Sequence, residues 1–116
     1  MDKQKKAVAK TYQIRLSVNA VQNIDEITGY ITFIKQQPLN AIRVGDAIFK
    51  TISKISERPY AFKECEAIPT SSKMYRQASC FNWLVIYKIE NSFIIVLGVI
   101  HASRKPSKIK ALKKIK

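Results

Sequence analysis

The chain has 116 residues, 47% hydrophobic and 25% charged, the size and composition of one globular domain with a single core. Its 21 lysines and arginines against 8 aspartates and glutamates leave a formal charge of +13, which favours phosphate-rich or acidic partners and says nothing of fold. Two cysteines outside any CxxC pattern and one histidine argue against a four-ligand zinc site, and no apolar run is long enough to span a bilayer or resembles a signal peptide, so a cytoplasmic protein with reduced thiols is expected.

In chain order, residues 1–10 read as a basic N-terminal arm carrying Lys3, Lys5, Lys6 and Lys10, ahead of a domain over 11–103. Thr11 to Val18 alternates as a strand, with Tyr12, Ile14, Leu16 and Val18 on one face. Ser17 or Asn19 is a candidate N-cap for a helix running to about Gln36, whose apolar stripe is Ala20, Ile24, Ile27, Ile31 and Ile34. Pro38 is well placed to begin a second helix, over Leu39 to Ser56, with the stripe Ala41, Gly45, Ile48, Ile52 and Ile55. Two similar stripes joined by a tight loop predict an antiparallel αα-hairpin, closed until Arg58-Pro59 ends it.

Tyr60 to Ser72 reads as a surface loop, and Lys73 to Cys80 as a short strand. Phe81 to His101 is the most apolar stretch, broken by Glu90-Asn91-Ser92, which predicts a β-hairpin with Asn at the turn. Its second arm lacks polar alternation and is expected to be covered on both faces. The fold class that follows is α+β: an N-terminal strand, an αα-hairpin, then a three-stranded antiparallel meander, with the helices packed on one face of a four-stranded sheet. From Arg104 to Lys116 there are seven basic residues and no acidic one, which reads as a solvated basic tail.

The candidate chemistry gathers at the end of the last strand. A lone histidine at a strand end is ordinarily a structural hydrogen-bonding residue. Arg104 three residues after His101 gives it a second reading, as a proton-transfer group or a phosphate contact. Arg76, with Lys73 nearby, lies on the neighbouring candidate strand, so Arg76, His101 and Arg104 are three polar groups on elements that could converge. Tyr87 shares a face with Trp83, Val85 and Ile89 and belongs to the core. Glu64 and Glu66 read as surface charge, and nothing around Cys80 predicts an activated thiol. There is no P-loop, no Rossmann glycine pattern and no serine-nucleophile elbow.

The segments AVQNIDEITGYI, PLNAIRVGDAIFKTISKISERP, YRQASCFNWLVIYKIE and IIVLGVIHASRKP, in this order across residues 11–106, resemble the RelE/ParE superfamily of toxins from type II toxin–antitoxin modules. The ending with His101 and Arg104 is closer to the ParE-like, plasmid-stabilisation branch. That resemblance implies inhibition of DNA gyrase without catalysis, with Lys73, Arg76, His101, Arg104 and Lys105 at the target-binding edge. The alternative it implies is a RelE-like endoribonuclease that cuts mRNA on the ribosome, with His101 as acid or base and Arg76 and Arg104 on the phosphate. Two departures argue against cleavage: no aromatic follows His101, and no carboxylate is clearly placed as a base. A third reading is a non-toxic basic module that binds nucleic acid. Both toxin branches imply a cognate acidic antitoxin; no cofactor, no metal and no membrane partner is expected.

Overall fold

The computed structural model describes residues 12–116; the basic arm expected over 1–10 lies outside them. Strand β1 (Gln13–Leu16) leads into helix α1 (Val18–Gly29), which continues as a π-helical turn over Tyr30–Ile34. Helix α2 (Pro38–Glu57) returns antiparallel to it. Strands β2 (Tyr75–Cys80), β3 (Trp83–Glu90) and β4 (Phe93–His101) then form the meander, and a short helix α3 (Pro106–Lys110) with a 3-10 turn over Ala111–Lys114 closes the chain. The sheet order is β1-β4-β3-β2, with β1 parallel to β4 and the other pairs antiparallel.

Local chemistry accounts for the boundaries. Ser17 is the N-cap of α1, its hydroxyl accepting from the Ala20 N–H at 3.0 Å. Because the chain turns into the helix there, Val18 leaves the strand face and is exposed rather than packed with Tyr12, Ile14 and Leu16. Ala20, Ile24 and Ile31 are buried as the stripe predicts, but Ile34 is 67% exposed. The cause is the π-turn, which inserts one residue and rotates later positions off the stripe. There the Thr32 hydroxyl takes the Thr28 carbonyl at 2.7 Å, and the Lys35 N–H reaches back to the Tyr30 carbonyl at 3.1 Å. Along α2, Ala41, Ile48, Ile52 and Ile55 are buried, and Gly45 passes close to the Thr28 methyl. The β3–β4 turn places Asn91 in the left-handed region at φ 57°.

Two cores result, one on each face of the sheet. The helical hairpin covers Ala78, Val85, Tyr87, Ile94, Val96 and Val99 on one face. The other face carries Tyr75, Leu84, Ile86 and Leu97, and is covered by Cys65 and Ile68 from the 60–74 segment and by Ile109 and Leu112 from the C-terminal end. Two expectations change here. The 60–72 segment is not merely a surface loop, since it wraps the β2 edge and buries Cys65 and Ile68. Within 104–116 the basic side chains do face solvent, but Ile109 and Leu112 fold back into the second core. No helix among the described residues is long and apolar enough to cross a membrane.

Candidate functional site: a cleft at the end of β4

β1 pairs with β4 only as far as Val96, after which the β4 edge has no strand neighbour. Polar side chains of the first two turns of α1 satisfy it instead. The Ser17 hydroxyl and the Asn19 amide both donate to the Leu97 carbonyl at 3.0 Å, and the Asn23 carbonyl oxygen accepts from the Val99 N–H at 2.9 Å. β4 carries one extra residue here: Tyr87 pairs with Val96 while Ile86 pairs with Gly98, so Leu97 is a bulge. A bulge bends and twists its strand locally. A cleft of about 460 Å³ opens between α1, the ends of β3 and β4, and α3.

His101 and Arg104 line this cleft, with Glu26 from α1, Tyr30 from the π-helical turn that follows it, Trp83 from β3 and Lys108 from α3. The His101 ring lies edge-to-face with Trp83, centroids 6.0 Å apart. Its Nδ1 receives the Ser103 backbone N–H at 3.1 Å and touches the Ser103 hydroxyl at 2.7 Å. A backbone N–H can only donate, so Nδ1 accepts, and the neutral ring carries its proton on Nε2. The free nitrogen of this histidine is therefore a donor.

Arg76 is not part of the cleft. It pairs with Tyr87 across β2–β3, whereas His101 pairs with Trp83, so the two differ by four residues along the sheet and by two strands, about 16 Å in all. Its guanidinium holds the chain after α2, donating to the Lys73 carbonyl and the Phe62 carbonyl at 2.9 Å each and lying over the Tyr60 ring. Lys73 is at the same distant end, while Lys105 stands beside Arg104 at the start of α3. The expected convergence of Arg76, His101 and Arg104 is thus split into two groups. Tyr87 is a core residue as read, but its hydroxyl, expected at the periphery, is buried: it donates to the Pro59 carbonyl at 2.6 Å, and burial pushes its pKa well above the ordinary tyrosine value. Burial likewise raises the pKa of the Cys65 thiol, which disfavours the thiolate.

Glu26, Tyr30, Trp83 and Lys108 were not picked out as site residues from the sequence. The signal existed: Asn19, Asn23, Glu26 and Tyr30 recur at 4, 3 and 4 residues, a second stripe on α1 beside the apolar one. Next to the cleft, the β2–β3 turn holds Phe81 at φ 53°, 53% exposed, with the Arg43 guanidinium 4.8 Å from its ring centre. A bulky side chain in the left-handed region is strained, whereas asparagine tolerates it. Phe81→Asn is expected to raise the thermal midpoint by about 4 °C, from about 1 kcal/mol of relieved strain. A lowered midpoint in calorimetry would show that the Arg43 contact outweighs the backbone strain.

Comparison with known proteins agrees with this architecture. The family model described as the ParE toxin of type II toxin–antitoxin systems, parDE, matches residues 14–106. Among solved structures, the chain is similar to one from the chromosomal ParDE system of P. aeruginosa, with a TM-score of 0.61 and 13% identity over 79% of this chain and 97% of that one. It is also similar to one from the toxin–antitoxin complex RelBE2 of Mycobacterium tuberculosis, with a TM-score of 0.56 and 14% identity over 78% and 98%. At these identities the structural likenesses speak for the fold alone. None of the curated proteins matches. The family match spans the strand, the helical hairpin, the meander and the His101–Arg104 ending together: the chain belongs to the ParE toxin family of type II toxin–antitoxin systems.

Proposed function

We propose that this toxin acts by binding and inhibiting DNA gyrase, without chemistry of its own. The observation that carries the reading is the ParE family match over residues 14–106. Two features of the site support it. Arg76 is engaged with the chain after α2, about 16 Å from His101, so no second cation joins Arg104 from β2. With the His101 Nδ1 accepting from the Ser103 N–H, the other ring nitrogen presents an N–H rather than a lone pair, which suits recognition better than proton abstraction. Arg104, Lys105, His101 and the strained Phe81 lie toward one end of the molecule, and Arg104 is of a residue type enriched among interface hot spots.

The same end offers a surface for the cognate antitoxin. Tyr30, Phe33, Ile34, Leu39 and Ile42 are exposed at the loop end of the helical hairpin, beside Lys35 and Arg43. An amphipathic, acidic segment would cover the apolar side chains and pair with those cations. One observation favours the second reading, a RelE-like endoribonuclease: Glu26 lines the same cleft as His101 and Arg104 and supplies the carboxylate that the sequence did not place.

A supercoiling assay with purified gyrase separates the two. Full inhibition is expected from the unaltered protein, and about tenfold weaker inhibition from Arg104→Ala, the loss of one interfacial charge-assisted contact. Unimpaired supercoiling together with cleaved mRNA in a translating extract would replace the gyrase reading by the nuclease one.

A further inference from the structure

The contents of the cleft specify a ligand more closely than family membership does. Its lining includes two aromatic residues, Tyr30 and Trp83, two cations, Arg104 and Lys108, and His101, whose Nδ1 accepts from the Ser103 N–H and leaves Nε2 as the donor. A volume of about 460 Å³ is within the range of small-molecule sites and too large for a lone phosphate. Flat rings are binding surfaces for planar heterocycles, and forked or pointed cations are binding groups for phosphate. The carboxylate of Glu26 sits in the same space and only accepts hydrogen bonds when ionised. It repels a simple anion, and it selects a ligand whose uncharged part offers N–H donors. The Asn19 and Asn23 side chains, each tied to the β4 backbone by one end of its amide, hold that wall in place.

We propose that this cleft binds one nucleotide unit, with its base against Trp83 and Tyr30, a ring N–H or amino group toward Glu26, and its phosphate at Arg104 and Lys108. The site does not depend on the gyrase reading: it is formed by the same residues whichever target the toxin reaches. It also explains why the cleft mixes a carboxylate with cations, which a surface evolved only for a polyanion would not.

Trp83 is the only tryptophan, so its fluorescence reports the site directly. Titration with the four nucleoside monophosphates should give saturable quenching, with the matching nucleosides and inorganic phosphate each binding at least about tenfold more weakly. The double substitution Arg104→Ala, Lys108→Ala should weaken mononucleotide binding by about tenfold or more, and Arg104→Lys should recover part of it. Lys50→Gln, an exposed cation on α2 away from the cleft, should leave it unchanged. A short single-stranded oligonucleotide that competes assigns the unit to a strand; one that fails to compete assigns it to the free nucleotide pool. Inorganic phosphate binding as tightly as nucleotide would reduce the site to an anion patch and overturn the proposal. So would the absence of both quenching and heat of binding in calorimetry. Either result leaves the supercoiling assay unaffected, so the two readings fail separately.

Discussion

Gly98→Ala should lower stability by about 2–3 kcal/mol, a large loss for the addition of one methyl group. The carbon would sit 2.9 Å from the Asn23 side-chain oxygen, 3.0 Å from the Asn19 amide nitrogen and 3.1 Å from a Leu112 methyl. The two asparagine side chains cannot move freely. The Asn23 oxygen holds the Val99 N–H, and the Asn19 amide holds the Leu97 carbonyl, both on the edge of β4 that β1 does not reach. Displacing the Asn23 oxygen leaves the Val99 N–H short of a partner, at a cost of about 1–3 kcal/mol, whereas the Leu97 carbonyl keeps the Ser17 hydroxyl if Asn19 moves. The glycine is needed here for close approach and not for its dihedral freedom, since no glycine has positive φ. Gly45→Ala is the control, because its added carbon meets only the Thr28 methyl at 3.4 Å, an ordinary contact. In the interior of α2 that change should raise stability by up to about 1 kcal/mol. Urea titration of both variants checks the pair: opposite signs are expected, and a neutral Gly98→Ala would mean that the α1 wall of the cleft is loose.

That contrast marks where the sequence was readable. The αα-hairpin was legible because buried positions such as Ile48, Ile52 and Ile55 recur on one face, and the β3–β4 hairpin because Asn91 interrupts two apolar runs with the one residue suited to its backbone. Such signals are local. Gly98 was silent because its neighbours, Asn19, Asn23 and Leu112, are distant in sequence, and a bulge at Leu97 leaves no mark on an apolar run. Arg76 was misplaced for a related reason. Element order tells which strands are neighbours, but the register decides which end of a strand a residue occupies, and here it sends Arg76 to the end opposite His101. The site residues on α1 failed to register because Glu26 and Tyr30 look like any solvated face until β4 and α3 close a cleft over them. Ile34 was assigned to the core because the stripe assumes an unbroken α-helix, which the turn at Tyr30–Ile34 is not.

The second large effect concerns the C-terminal end, where charge hid the packing. A chain ending after Lys105 should lose about 4–6 kcal/mol of stability, because it removes two side chains whose burial contributes about 1.5–3 kcal/mol each and uncovers the apolar face they shield. Ile109 and Leu112 are three residues apart on consecutive helical turns and both pack on the face carrying Leu84, Ile86 and Leu97, with Ile115 partly covering the same core. The lysines between them point outward and contribute little, so Lys110→Gln, Lys113→Gln and Lys114→Gln together should stay within about 0.5 kcal/mol of the unaltered protein. A small domain holds only about 5–15 kcal/mol in total, so the truncated chain is expected to be partly unfolded at 37 °C. Where truncation prevents purification, the full-length double variant Ile109→Ala, Leu112→Ala, expected to lose about 4 kcal/mol, carries the same test in a denaturant titration. An unchanged midpoint in either case would return residues 104–116 to the status of a solvated tail. The cleft would then lose its third wall as well, since Lys108 and Leu112 reach it only while this segment is docked. Stability and ligand binding should therefore fall together in the double variant, whereas the lysine-to-glutamine set should leave both intact.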